Sequence, residues 1–146
     1  MLPRGTNAVR RVLLVEDGPD DVDLTLEALK EAGLELSLAV AENGVEAVAY
    51  LRGQGQHADA PRPDLVLLDL NLPRMDGREV LQEVKQDPLL RRIPIIVLTT
   101  SDAREDITQA YDLHANCCIT KPIDFDRWIQ LFQLIEAFWF DMVQLA

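Results

Sequence analysis

Three stretches of this chain are short, unbroken apolar runs: RVLLVED (Arg11–Asp17), PDLVLLDL (Pro63–Leu70) and IPIIVLTT (Ile93–Thr100). A strand with one wet face alternates apolar and polar residues. An unbroken run marks a strand buried on both faces, as in a parallel sheet covered by helices. Segments with helical punctuation separate the runs. PDDVDLTLEALKEAG has Pro19 in its first turn, aspartates suited to the N-terminal dipole, and Gly33 as C-cap. NGVEAVAYLRG starts a helix near Asn43, DGREVLQEVKQD and AREDITQAYDLHA supply two more, and LELSLAVA and NCCIT read as further strands. A long last helix, DFDRWIQLFQLIEAFWFDMV, follows with Asp124 as N-cap. Alternation of this kind predicts an α/β domain, a doubly wound parallel sheet with helices on both faces. The 146 residues suit one domain spanning 1–146, with a core from about 10 to 143 and no linker to a second. Residues 53–64, GQGQHADAPRPD, read as a surface loop without assignable chemistry.

Charge and composition narrow the function. The chain has 14 Lys and Arg against 25 Asp and Glu, a net charge of −11, and no basic cluster, which disfavours nucleic acid as a partner. The apolar C-terminal run is broken by Glu136 and Asp141, so no membrane span is expected. The basic N-terminus MLPRGTNAVRR lacks a following apolar segment, so the expected compartment is the cytoplasm. Cys117 and Cys118 are adjacent, with side chains diverging in a strand, and a disulfide between them is poorly placed. With His57 and His114 as the only histidines, a tetrahedral zinc site lacks ligands.

In doubly wound sheets, ligands bind at the carboxyl ends of the strands. Here those ends carry Glu16 and Asp17, then Asp69, then Thr99, Thr100 and Ser101, and finally Lys121 before Pro122. Three clustered carboxylates repel one another, and a divalent cation plus one lysine would offset their charge. Carboxylates with carbonyls and water suit Mg²⁺. A centre of Mg²⁺, ammonium and hydroxyl can hold a phosphoryl group, which makes Asp69 a candidate nucleophile forming an acyl phosphate. Asp20, Asp21 and Asp87 read instead as helix caps or solvated turns. Asp17 and Asp69 differ because each ends a buried apolar run, where an ionised carboxylate is costly without partners.

The blocks LLVEDGPDD, DLVLLDLNLPRMDG, IPIIVLTTS and ITKP, in this order over nearly the whole chain, resemble the receiver domain of two-component response regulators. The resemblance implies a flavodoxin-like five-stranded parallel sheet, order 2-1-3-4-5, with five helices. It implies that Asp69 accepts a phosphoryl group from a histidine kinase, in a switch rather than an enzyme. Glu16 and Asp17 then match the acidic pair, with Asp17 the direct Mg²⁺ ligand, and Asn71 offers its backbone carbonyl to the metal. Thr99 matches the switch hydroxyl and Lys121 the phosphate-pairing lysine, with a cis Lys121–Pro122 bond. Ser101, with Asn71, sits where receivers tune the lifetime of the acyl phosphate. The phrases LRGQGQHADAPRPDL, LNLPRMDGREVL and LHANC resemble small stand-alone regulators that partner phytochrome-type kinases, without an output domain.

Two rivals are weaker. A haloacid-dehalogenase-type phosphohydrolase also places an Asp on a parallel strand with Mg²⁺, but wants a second Asp two residues on, where this chain has Asn71. A nucleotide-binding module would need a glycine-rich phosphate cradle, and neither standard motif occurs.

Six of the eight aromatic residues lie between Phe125 and Phe140. Trp128, Phe132, Ile135, Trp139 and Met142 form one helical stripe, and Leu131, Leu134, Phe138 and Leu145 a neighbouring one. Both stripes, with Phe140 besides, exceed what one sheet face absorbs. They predict a homodimer on this helix, using Trp128, Phe132, Phe138, Trp139 and Phe140. Receivers usually carry an aromatic three residues before the lysine; here that position is Cys118. A thiol cannot swing as a ring does. Cys118 is therefore expected to act as a small apolar filler, ahead of a role as an exposed, low-pKa oxidant sensor, and Cys117 is expected in the core.

Overall fold

The unbroken apolar runs lie side by side at the centre of the molecule. The structure, a computed structural model, describes residues 10–100 and 103–146. Its elements run β1 (Arg10–Val15), α1 (Pro19–Ala32), β2 (Leu36–Ala41), α2 (Gly44–Arg52), β3 (Leu65–Asp69), α3 (Gly77–Gln86), β4 (Ile95–Thr99), α4 (Arg104–Asp112), β5 (Cys117–Thr120) and α5 (Phe125–Leu134). All pairings are parallel, in the order β2-β1-β3-β4-β5. The 53–64 loop contains a single 3₁₀ turn, Gly55–His57. Among the described residues no helix is long and apolar enough to cross a membrane.

The two-residue period of a strand divides the core. Leu13, Val15, Val66, Leu68, Ile95 and Val97 pack against α2, α3 and Ala110 of α4. Val12, Leu14, Leu65, Leu67, Ile96 and Leu98 pack against Ala28 and Leu29 of α1 and Trp128 and Phe132 of α5. Helix ends follow their sequence signals. Asn43 caps α2 by accepting from the Glu46 N–H at 2.8 Å, and Asp124 caps α5 by accepting from the Arg127 N–H at 2.9 Å. Gly33 ends α1 in the left-handed region at φ 67°.

The last helix departs from expectation. After Leu134 it widens into a π-helical segment, Ile135–Phe140. Its signature is i→i−5 bonding: Asp141 N–H to Glu136 C=O at 3.0 Å and Val143 N–H to Phe138 C=O at 2.8 Å. The extra residue per turn rotates the chain, so the buried row runs Trp128, Phe132, Ile135, Phe140, and Trp139 is left half-buried. Arg10 fixes the new register. Its guanidinium lies 5.5 Å from the centre of the Phe140 ring and 2.9 Å from both Glu136 Oε1 and Asp141 Oδ1. Trp128 and Phe132, in the regular helix, and Phe140, in the π-helical segment, are corrected from dimer surface to interior of their own chain. The most exposed large apolar residues of the last helix and the turn after it are Leu134, Phe138 and Met142.

The loop from β3 to α3 packs closely against two glycines, Gly77 at its end and Gly44 at the start of α2. The Gly77 N–H donates to Leu70 C=O at 2.9 Å, and a Cβ there would lie 2.6 Å from Leu70 Cα. At Gly44 a Cβ would meet the backbone and side chain of Met75. Backbone cannot yield as a flexible side chain can. Gly77→Ala should therefore lower unfolding stability by about 2 kcal/mol, as overpacking does, read as a shift of the urea midpoint at unchanged slope.

Candidate functional site

Parallel pairing brings the strand ends to one edge. Val15 pairs with Leu68, Asp69 with Leu98, and Thr99 with Thr120. The residues at and just beyond these ends are Glu16, Asp17, Asp69, Thr99 and Lys121. Glu16, Asp69, Thr99 and Lys121 are buried, while Asp17 is exposed.

Lys121 is the hub. Its Nζ lies 2.6 Å from Glu16 Oε2, 3.2 Å from Asp69 Oδ2 and 3.3 Å from Asp21 Oδ2. Its own N–H donates to Thr99 C=O at 2.9 Å, which ties the lysine to the end of β4. The second oxygens of the two buried acids are held by backbone: Glu16 Oε1 accepts from the Gly18 N–H and Asp69 Oδ1 from the Asn71 N–H, each at 3.1 Å. Every charge taken out of water thus has a partner. One oxygen each of Glu16, Asp17 and Asp69 lie within 4.8 Å of one another, a spacing that one hard cation can bridge.

The charge states follow from this packing. Burial pushes the Glu16 carboxyl up to about 7; the Lys121 hydrogen bond pulls it down and the neighbouring Asp69 pushes it up. Burial alone would lower the Lys121 ammonium. The Glu16 hydrogen bond and the charges of Asp69, Glu16 and Asp21 outweigh it and hold the ammonium above its ordinary value.

Several sequence expectations change here. Asp21, read as a helix cap or solvated turn, reaches the ammonium from the first turn of α1. The Lys121–Pro122 bond is trans, since no peptide among the described residues is cis. Ser101 lies outside the described residues, as do Met1–Val9. Asn71 is exposed, with its N–H on Asp69. Cys117 is half-buried on the α1 and α5 side of the sheet, and Cys118 half-buried on the α2–α4 side. Burial raises both thiols, the reverse of what an oxidant sensor needs. The Cys118 N–H, on edge strand β5, donates to the Tyr111 hydroxyl of α4 at 3.2 Å. A tyrosine from a neighbouring helix thus reaches the backbone at 118, with its ring partly exposed.

A family profile for the response regulator receiver domain matches residues 12–133. Response regulator Rcp1 of Synechocystis sp. is 45% identical over 140 residues, 96% of this chain and 95% of that protein. The crystal structure of the phosphorylated cyanobacterial phytochrome response regulator RcpA is similar at TM-score 0.87 and 47% identity, over 95% of this chain and 99% of that one. The Mn²⁺-bound form of Rcp1 is similar at TM-score 0.83 and 45% identity, over 94% and 99%.

The raised Glu16 carboxyl makes a pH prediction. Folded, it titrates at about 7, above its ordinary 4.5, so the folded state binds the extra proton between those values. Its stability contribution is full below the unfolded value and is lost as pH rises through the folded one. In chelator-treated protein, the urea midpoint should fall between about pH 5 and about pH 7.5, and Glu16→Gln should flatten that fall.

Proposed function

Since the chain belongs to the response regulator receiver domain family, we propose that it is a phosphorylation switch in which Asp69 accepts a phosphoryl group from a histidine kinase. One observation carries this: a buried Asp69 at the end of β3, 3.2 Å from the Lys121 ammonium and grouped with two further carboxylates. An Asp69 oxygen attacks phosphorus, the P–N bond of the phosphohistidine breaks, and the imidazole leaves with the bonding pair. Lys121 and the Thr99 hydroxyl take equatorial oxygens, whose negative charge grows in the transition state. Glu16, Asp17, Asp69 and the Asn71 carbonyl would hold Mg²⁺. That donor set is all oxygen and carries the right charge, and the ion supplies neutralisation of the transferring group.

The kinase is proposed to be of the phytochrome type, on the strength of the similarity to RcpA and Rcp1, and the compartment is proposed to be the cytoplasm. Two residues after Asp69, Asn71 cannot act as a general acid, so multiple-turnover phosphohydrolysis is disfavoured. Cys118 is a small filler beside the core, and the response to phosphorylation is carried by the loop after Thr99 and by a second copy of the chain. That copy is proposed to dock on Leu134, Phe138 and Met142, which are 63%, 50% and 75% exposed.

Incubation with acetyl phosphate and Mg²⁺ should place one phosphoryl group per chain, and Asp69→Asn should abolish it. Intact-mass spectrometry reads both, and sustained release of inorganic phosphate over many turnovers would favour the hydrolase instead. For self-association, sedimentation at micromolar concentration should show a dimer that Phe138→Asp weakens. A monomer with and without beryllofluoride would overturn the proposed interface.

A further inference from the structure

Lys121 has three ammonium hydrogens and three carboxylate partners, so its donor capacity is filled. The partners are not equivalent. Glu16 makes the shortest contact, 2.6 Å, with a side chain 3% exposed, and Asp69 at 3.2 Å is 10% exposed. Asp21 makes the longest, 3.3 Å, and its side chain is 48% exposed. Breaking a buried ion pair strands a charge in the interior, whereas an exposed carboxylate rehydrates at little cost. The backbone brings Asp21 in deliberately close. Gly18 opens α1 by accepting from the Val22 N–H at 2.9 Å. A Cβ on Gly18 would sit 3.1 Å from Glu16 Oε1 and 3.2 Å from Asp21 Oδ2, so a side chain there would crowd both acids.

We propose that Asp21 is a positioning residue for Lys121: the exchangeable partner that holds the ammonium in the resting site and gives it up to the arriving phosphoryl group. This rests on the phosphoacceptor role of Asp69. When a phosphoryl oxygen needs Lys121, one of its three carboxylates must let go, and Asp21 is the one that solvent can take back. Once released, Asp21 keeps its negative charge beside the site. It therefore favours a cation there and opposes an anion. A residue that merely supported the fold would move both affinities in the same direction.

The test is calorimetric titration of the full chain, first with MgCl₂ alone, then with beryllofluoride at saturating Mg²⁺ as a stable phosphoryl mimic. Asp21→Asn should bind Mg²⁺ about two- to fivefold more weakly and beryllofluoride about two- to fivefold more tightly, the range of a partly exposed charge. Asp21→Glu, which keeps the charge, should stay near the wild type in both. The Asp21→Asn differences should shrink toward none in about 1 M KCl, where the Debye length is about 3 Å. Asp21→Asn weakening both ligands, or changing neither, would overturn the proposal while leaving Asp69 as acceptor. Wild-type protein that fails to bind beryllofluoride with Mg²⁺, or binds it equally after Asp69→Asn, would overturn the acceptor role and this inference with it.

Discussion

One ammonium, that of Lys121, makes the carboxyl edge of this sheet tenable. Glu16 and Asp69 are both buried, and each would be an uncompensated charge without it. The lysine reaches them from a fixed root, because its N–H is bonded to Thr99 C=O and β5 is paired to β4 in register. The charge balance of the site therefore depends on backbone pairing at the far side of the sheet.

The surroundings hold the acids at the distance that chemistry requires. Glycines at 44 and 77 let the loop after Asp69 lie directly on its neighbours, so the acceptor is not carried on a floppy connection. Backbone N–H groups of Gly18 and Asn71 take the carboxylate oxygens that Lys121 does not. The centre is preorganised for an anion by donors and for a cation by acceptors. Such a site is poised to be filled by a metal and a phosphoryl group together.

At the other end of the chain, a second cation plays a structural role. Arg10 gathers Glu136, Asp141 and the Phe140 ring around the first residue of β1. This holds the π-helical segment against β1, while Leu134, Phe138 and Met142 face outward. The apolar surplus noted in the sequence is exposed at Leu134 and Phe138, on the stripe a regular helix would present, whereas Phe140 is buried and Met142 exposed. The period of 3.6 cannot anticipate an i→i−5 turn, because that turn is selected by packing against Arg10 and the sheet.

The sequence by itself determined the element order, the sheet buried on both faces, and the set Glu16, Asp17, Asp69, Thr99 and Lys121. These are legible because strand burial and chain direction are local, and parallel strands place their carboxyl ends together whatever the details. Helix starts at Asn43 and Asp124 were legible for the same reason, since capping involves residues three apart. Tertiary structure alone decided that Asp21 joins the lysine, that the Lys121–Pro122 bond is trans, that Phe140 and not Trp139 is buried, and that Tyr111 bonds to Cys118. Most of these depend on contacts between residues far apart in the chain, such as the 100 positions separating Asp21 from Lys121. No local pattern carries the distance between two such side chains; packing does.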